Sequence, residues 1–475
     1  MESTLASGRA RRLDFPFSVR GVLGSLSLAG IVGVSLAVVM AAAERRSFLS
    51  PTSHAGFPSW MSGPLGGLLP GLTHDLQTLK VEFTVAVAGM YVLYLIALLC
   101  VRAIPTWAVL ATVAAVHVVF FLSPPLPLTD IFNYLHYARM GALHGLNPYV
   151  HLPIAGRHDS TYPLTTWHHL RSPYGPLFTL GTYALAPLPV PVAYWVFKGA
   201  VMSAGLGCVA LVWLCAKRLG RSPRAAVLFA GLNPLYCVYG LGGQHNDVFM
   251  MLLVLAGVYL FLRSREHFGG AALAAAVAVK ASAGVLLPVV LIGARQRGRA
   301  LVGAAAGVAA MGALTLVAFG PHLPNDAAQS KLVVPFGLTN ELGLALGFGG
   351  VSPGLRHVLE ALLATGVAAA CLVAWRGSRA GSERSFDWIP AAAGASLVLV
   401  LTLTWVMPWY VFWAVPLAAL AKGRALRVAA IVVGALLLYT WLPLGQDFNH
   451  KTLQLAPTRT AVGRQNSNYL HNLLR

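Results

Sequence analysis

The residues best suited to chemistry fall in four short runs. The first, PPLPLTDIFNYLHYARMGALHGLNPYVHLP (124–153), holds one carboxylate, Asp130, ahead of an amphipathic stretch. GLNPY ends that stretch, since Gly and Pro stop helices. A carboxylate at a membrane–water boundary, flanked by aromatics, suits a general base acting on a sugar hydroxyl. Thr129-Asp130 before an apolar-periodic run is also a capping signature, and spacing leaves both readings open. The second run, LNPLYCVYGLGGQHNDVFMMLL (232–253), breaks a helix at Gly240, Gly242 and Gly243. Gln244, His245, Asn246 and Asp247 then follow in succession. Asp247 alone could be a cap. Four hydrogen-bonding side chains exceed what a cap needs and suit a sugar or phosphate, where the helix N-terminus adds positive potential.

The third candidate is Lys280, near the centre of the apolar stretch 269–294. An ammonium inside such a stretch is costly unless paired and marks a functional path by default. Snorkelling to the interface is difficult from that position, so an anionic lipid phosphate is the preferred ligand. The fourth run, TWVMPWYVFWAVPL (404–417), carries Trp405, Trp409, Tyr410 and Trp413. An interfacial aromatic belt explains it on composition, with sugar stacking on Trp409 or Tyr410 as the alternative. His144, His151, His158, His168 and His169 lack a recognised zinc spacing, and no metal is expected. No nucleotide cradle, dinucleotide glycine motif or H-E-x-x-H is present. Any transferred group therefore arrives on something other than a nucleotide.

These residues must be positioned by membrane helices. Of 475 residues, 57% are hydrophobic and 10% charged, against roughly 25% charged in soluble proteins, so the chain must face lipid. The net charge of +19 would suit nucleic acid if it were clustered, but the cations fall in short runs between apolar stretches. Those runs include RARR (9–12), KRLGR (217–221), RQRGR (295–299) and KGRALR (422–427). That spacing excludes nucleic acid as a partner and matches cytoplasmic loops of a multi-pass protein. The five cysteines lie in apolar segments without a C-x-x-C pair and read as buried hydrophobes. Segment 21–43 is too long for a cleavable signal and reads as an anchor.

Spanning helices are expected near 21–43, 83–101, 104–123, 191–216, 225–242, 247–262, 300–320, 354–375, 387–406, 409–421 and 428–444. The fold class is an all-α bundle of about 11–13 transmembrane helices forming a single domain, 1–475. With a cytoplasmic N-terminus, 20 of the 34 Lys and Arg fall on the inside and 11 on the longer outer segments. Arg45 and Arg46 are outer exceptions. Stretch 269–294 lies between two basic runs, so it is expected to be a re-entrant hairpin with its apex near Lys280. The polar residues collect in an outer loop, 124–173, and a second outer loop, 321–353, with Asp326, Lys331 and Glu341. The polar tail, 445–475, has amphipathic character near its end.

The order of Asp130 with IFNY, GLNPY, SPYGPL (172–177), LNPL…GGQHNDVFM (232–250), AVKA (278–281) and PWYVFW (408–413) resembles the polyprenyl-phosphomannose-dependent α-(1→6)-mannopyranosyltransferases of actinobacteria. These belong to the GT-C superfamily, and the resemblance runs from about 125 to 420. It implies mannosyl transfer from polyprenyl-phosphate-mannose to a mannan or lipoglycan acceptor, with inversion, on the extracytoplasmic face of the cell membrane. It implies Asp130 as catalytic base, with no cofactor. Lys280, His245, Asn246 and Asp247 match its motif residues for substrate binding. Tyr134, Asn147, Tyr149, Tyr174, Trp409 and Tyr410 are the remaining binding candidates. Relatives commonly carry Ser-Arg before the Asp, where this chain has Leu128-Thr129, which leaves Arg139 or Arg171 as the substitute cation. The alternatives are transfer of another sugar or to protein, or a membrane transporter or flippase. A transporter commonly shows repeated halves and short outer loops, and this chain shows neither.

Overall fold

The structure is a computed structural model describing residues 19–44, 58–68, 76–128, 130–324, 326–379 and 388–474. The run at 9–12, Arg45, Arg46 and Thr129 lie outside the described residues. All regular structure among the described residues is helical. The first part of the chain forms α1 (Val19–Ala43), α2 (Leu76–Cys100), α3 (Thr106–Phe121), α4 (Asp130–His144), α5 (Pro176–Tyr183) and α6 (Val190–Arg218). The centre forms α7 (Pro223–Gly231), α8 (Asp247–Leu262), α9 (Glu266–Val279), α10 (Leu286–Gly293) and α11 (Arg297–Phe319). Next come α12 (Asp326–Ser330), α13 (Leu338–Ala345), α14 (Pro353–Arg379), α15 (Trp388–Thr402) and α16 (Val415–Leu420). The chain closes with α17 (Ala425–Trp441), α18 (Pro443–Asp447) and α19 (Ala461–Leu474).

Length divides these helices into two sorts. Five are long and apolar enough to cross a bilayer alone: Val19–Ala43, Gln77–Cys100, Val190–Arg218, Arg297–Phe319 and Pro353–Ser378. A helix pair, Ala425–Trp441 with Pro443–Arg459, is bent by 69° and counts as a sixth candidate span if it is one broken crossing. The all-helical bundle is as expected, and the other apolar helices among the described residues are 10–17 residues long. A crossing needs roughly 20 residues, so these shorter helices fall below the length of a lone straight span. Two expected spans are broken outright. Region 225–242 is α7 followed by a wide helical turn, Tyr236–Leu241, while 409–421 is a 3-10 turn, Pro408–Trp413, followed by α16. Gly and Pro supply both breaks.

The hairpin expected at 269–294 is present. α9 and α11 run side by side in the same direction, with Gly303 against the His267 carbonyl and Gly307 against Ala274. Glycine at such contacts lets helix backbones approach closely. The intervening segment must therefore return to its starting end, where Glu266 lies against Gln296. Helix α9 ends where Lys280 turns extended, at φ −155° and ψ 126°. That places Lys280 at the apex.

The segment 124–173 is no solvent-washed loop. Its helix α4 is buried from Ile131 through Ala138. Asn133, His136 and Tyr137 share one helical face and tie the following chain down. Asn133 Nδ2 donates to the Trp167 carbonyl at 3.1 Å, and its Oδ1 accepts from the Thr166 and Trp167 amides. His136 meets Thr161 Oγ1 and the Pro153 carbonyl at 2.8 and 3.0 Å, and Tyr137 donates to the Leu170 carbonyl. The segment 321–353 likewise folds, into α12 and α13, with Glu341 buried. The tail ends in α19, whose Leu470, Leu473 and Leu474 pack against a small cluster of Trp167, Leu170 and Leu332. The His169 amide donates to the Leu473 carbonyl at 3.0 Å.

Candidate functional site

A chamber of about 260 Å³ forms where α4, the start of α8, the hairpin apex and the Pro408–Trp413 turn meet. Asp130, Tyr134, Tyr174, Asn246, Asp247, Lys280, Trp409 and Tyr410 all line it, and Trp405, Leu470 and Leu474 close its sides. Residues scattered over most of the sequence thus share one cavity.

The two carboxylates have different surroundings. Asp247 is buried and fully engaged. Lys280 Nζ donates to its Oδ1 and Oδ2 at 2.9 and 3.0 Å, and the indoles of Trp413 and Trp409 donate at 2.7 and 3.1 Å. The ammonium also lies over the Tyr410 and Trp413 rings, at 4.6 and 5.3 Å from their centroids. A paired, hydrogen-bonded ion pair is the condition under which such charges are tolerated in a low dielectric. Asp130 has a looser setting, with 19% of its side chain exposed to the chamber. Trp167 Nε1 approaches its Oδ1 at 3.4 Å and His245 Nδ1 its Oδ2 at 3.4 Å. Among the described residues no Lys or Arg forms an ion pair with Asp130. One carboxylate is held by a cation, and the other keeps oxygens available to a ligand.

Local sequence explains the placement. The Gly240–Gly243 break lets the chain turn sharply, and Gln244 adopts φ 52° there. A side chain at Gly243 would strike both the His245 ring and the Tyr239 carbonyl, so glycine is required. His245 then stacks on Trp409, with ring centroids 3.5 Å apart and planes 7° apart. Asn246 is fully buried, its amide donates to Tyr134 Oη at 3.4 Å, and its side-chain oxygen and nitrogen have no partner. Buried polar atoms are almost always bonded, so Asn246 is poised for a polar ligand. The SPYGPL loop seats the hairpin apex: the Gly175 amide donates to the Val279 carbonyl at 3.0 Å, and a side chain there would strike Ala278.

Other candidates fall elsewhere. Arg139 is committed to Asp159, 3.0 Å to both oxygens, and to the Ala186 carbonyl at 2.7 Å. Burial by itself would raise the Asp159 carboxyl, but hydrogen bonds from His144, Thr161 and Arg139 outweigh it and hold the group well below the usual range. Arg139 therefore does not line the chamber. Arg171 is exposed, in a separate shallow recess with His169 and Ala328. Asn147 and Tyr149 act as struts, Asn147 donating to the Phe319 carbonyl at 2.7 Å and Tyr149 to the Tyr174 carbonyl at 2.8 Å. Among the described residues no cluster of His, Cys, Asp or Glu could hold a metal ion.

Sequence reasoning missed three residues. Trp167 caps Asp130, but only the Asn133 staple brings it there. Arg356, from the first turn of α14, lines a second cavity of about 380 Å³ between α14 and α15. Apolar Leu359, Leu363, Leu399 and Leu403 form its walls, and it meets the chamber at Lys280, Tyr174, Gln329 and Tyr410. Arg356 bonds Thr404 Oγ1 at 3.3 Å and the Ser330 carbonyl. Lys198 is the third, fully buried in α6, donating to the Ser123 carbonyl with its Nζ 4.4 Å from the Trp195 ring centroid. A lysine inside an apolar helix was the signal that could have found it.

Comparison with known proteins bears on this arrangement. Residues 27–296 match the family described as alpha-(1->6)-mannopyranosyltransferase, N-terminal domain, and residues 337–462 match the family described as MptB C-terminal domain. The chain is 30% identical over 357 residues to alpha-(1->6)-mannopyranosyltransferase A of Mycobacterium tuberculosis, covering 68% of this chain and 66% of that protein. It is 26% identical over 369 residues to alpha-(1->6)-mannopyranosyltransferase B of Corynebacterium glutamicum, covering 68% and 60%. With alpha-(1->6)-mannopyranosyltransferase A of Corynebacterium glutamicum the figures are 28% over 185 residues, covering 38% and 37%. The matched regions thus cover 66%, 60% and 37% of these three relatives' own length, less than two thirds of each. No solved structure matches it.

Proposed function

Because this chain belongs to the alpha-(1->6)-mannopyranosyltransferase family, we propose that it transfers a mannosyl residue from polyprenyl-phosphate-mannose to a glycan or lipoglycan acceptor. Transfer inverts the anomeric centre and forms an α-(1→6) linkage on the extracytoplasmic face. One observation carries the reading: the chamber that gathers Asp130, Asn246 and Asp247 meets, at Lys280, a second cavity walled by leucines of α14 and α15.

In the step proposed, the donor's isoprenoid lies between α14 and α15, with its phosphate beside Lys280 and Arg356. The acceptor hydroxyl enters the chamber and attacks the anomeric carbon from the face opposite the phosphate. Its proton passes to Asp130 as the new C–O bond forms. The bond to phosphate breaks and its electron pair leaves with the polyprenyl phosphate. Preorganised cations and N–H donors stabilise the charge gathering on that phosphate without reorganisation during reaction. Asp247 fixes the ammonium in place, and Trp409 and Tyr410 offer ring faces to the sugars.

The test is incubation of proteoliposomes carrying the full chain with labelled polyprenyl-phosphate-mannose and an α-linked mannan acceptor. The expected product carries a new α-(1→6)-mannose. Transfer from a polyprenyl-phosphate pentose in place of mannose would sink the assignment of the donor.

A further inference from the structure

The largest cavity named so far is not the largest in the protein. A separate one of about 1030 Å³ lies at the opposite end of the bundle. It opens beside the start of α3, whereas Asp130 follows that helix's other end; 16 residues at about 1.5 Å each separate the two by roughly 24 Å. Arg20 of α1, Arg102 of the α2–α3 turn, and Arg221 and Arg224 of the α6–α7 turn face it. Lys422, Arg424 and Arg427, from the turn before α17 and its first turn, complete the ring. Among the described residues that line it, none is acidic.

The charge bias of cytoplasmic loops puts cations on one face, but does not require four separate segments to aim them into one hollow. Like charges within a Debye length of about 8 Å repel, so gathering cations from four segments around one hollow favours an anion there. The cluster is also anchored. Arg224 donates to the Ile104 carbonyl and, at 3.2 Å, to the Arg102 carbonyl, tying two of the turns together. Its Nε–H is buried and has no partner. The walls between the cations are apolar: Leu95, Leu98 and Leu99 of α2, and Val428 and Ile431 of α17. Leu99 is 82% exposed and Val428 55% exposed, so this wall continues onto the surface that faces lipid.

We infer that this cavity binds the phosphate headgroup of an anionic membrane lipid, with an acyl chain running out along Leu99 and Val428. A basic pocket at the interface with an apolar exit matches such a ligand in both its parts. A soluble polyphosphate would use the cations and leave the apolar wall unused. The site is distinct from the chamber bearing Asp130 and does not depend on the reaction proposed there.

The experiment is a thermal-shift titration of the detergent-purified full chain with phosphatidylglycerol, with phosphatidylcholine and with inorganic pyrophosphate. Phosphatidylglycerol is expected to stabilise saturably, phosphatidylcholine not at all, and pyrophosphate only at about tenfold or greater concentration. The pair Lys422→Gln/Arg427→Gln should weaken phosphatidylglycerol about tenfold or more. The pair Arg263→Gln/Arg299→Gln removes the same charge from the same end outside the cavity and should leave affinity unchanged. If the first pair fails to insert, Arg102→Gln, whose side chain is exposed, replaces it with the same expected direction. Equal stabilisation by phosphatidylcholine, equal loss in the control pair, or full effect of pyrophosphate at matched concentration would each overturn the inference.

Discussion

Lys280 and Asp247, 33 residues apart, meet at 2.9 Å in the wall of the chamber, and two tryptophan N–H groups hold the same carboxylate. The lysine is therefore an oriented half of a buried pair. Removing either partner alone strands a buried charge, at about 3–5 kcal/mol. Asp247→Asn and Lys280→Met should each lower the thermal midpoint sharply, and the double variant should recover part of the loss. Chemical-denaturation or thermal-shift measurements on the four proteins give the coupling. Strictly additive losses would show that the two side chains do not depend on each other.

Asp130→Asn tests the other carboxylate. Its contacts to Trp167 and His245 are long, at 3.4 Å, so little stability rests on them. We expect mannosyl transfer to fall by about a hundredfold or more, as loss of a general base does, with insertion and thermal midpoint nearly unchanged. Near-normal elongation by the variant would remove Asp130 from the role of base.

Glycines 240 and 243 should respond differently. A methyl group at Gly243 meets the His245 ring and the Tyr239 backbone, while at Gly240 its nearest neighbour is the Tyr236 side chain at 3.2 Å. Gly243→Ala should displace His245 from Trp409 and cut transfer by about tenfold or more. Gly240→Ala should retain most activity, because a side chain can give way where a carbonyl cannot. Matched assays on the two variants, normalised to inserted protein, read the contrast.

Glu341 predicts a pH dependence. Burial pushes its carboxyl from 4.5 up to about 7, against a hydrogen bond from Asn449 that pulls it back in part. His450 Nε2 lies 3.3 Å away. The folded protein then binds a proton the unfolded chain has released, so stability falls as pH rises from about 4.5 to about 7 and levels off above. In Glu341→Gln this part of the slope should vanish from thermal midpoints taken between pH 5 and pH 8. An unchanged slope would place the proton elsewhere.

What the sequence made legible follows from cost. A charge in an apolar run is conspicuous because it is expensive, and Lys280 is legible on that ground alone; Asp130 stands out at a helix boundary among aromatics, and Asp247 in a run of four hydrogen-bonding side chains. The hairpin was legible because basic runs flank an apolar stretch on both sides. Helix length was less so: α7 with its wide turn, and the Pro408–Trp413 turn with α16, look like full spans in hydropathy, yet each is interrupted. Arg139, Asn147 and Tyr149 carry the same polar chemistry as binding residues but spend it on carbonyls and on Asp159. Nothing local distinguishes the two uses. Arg356 at the start of α14 looks like any interfacial arginine until α15 and the apex at Lys280 pack beside it.

The groove between α14 and α15 is about 380 Å³ and is walled by Leu359, Leu363, Leu399 and Leu403. Under the donor reading, an isoprenoid lying there leaves the protein sideways after a few units, and the remaining units mix with the surrounding acyl chains. A groove of that volume then does not act as a ruler for carrier size. Short and long prenols should serve as substrates with similar efficiency once both are in a membrane.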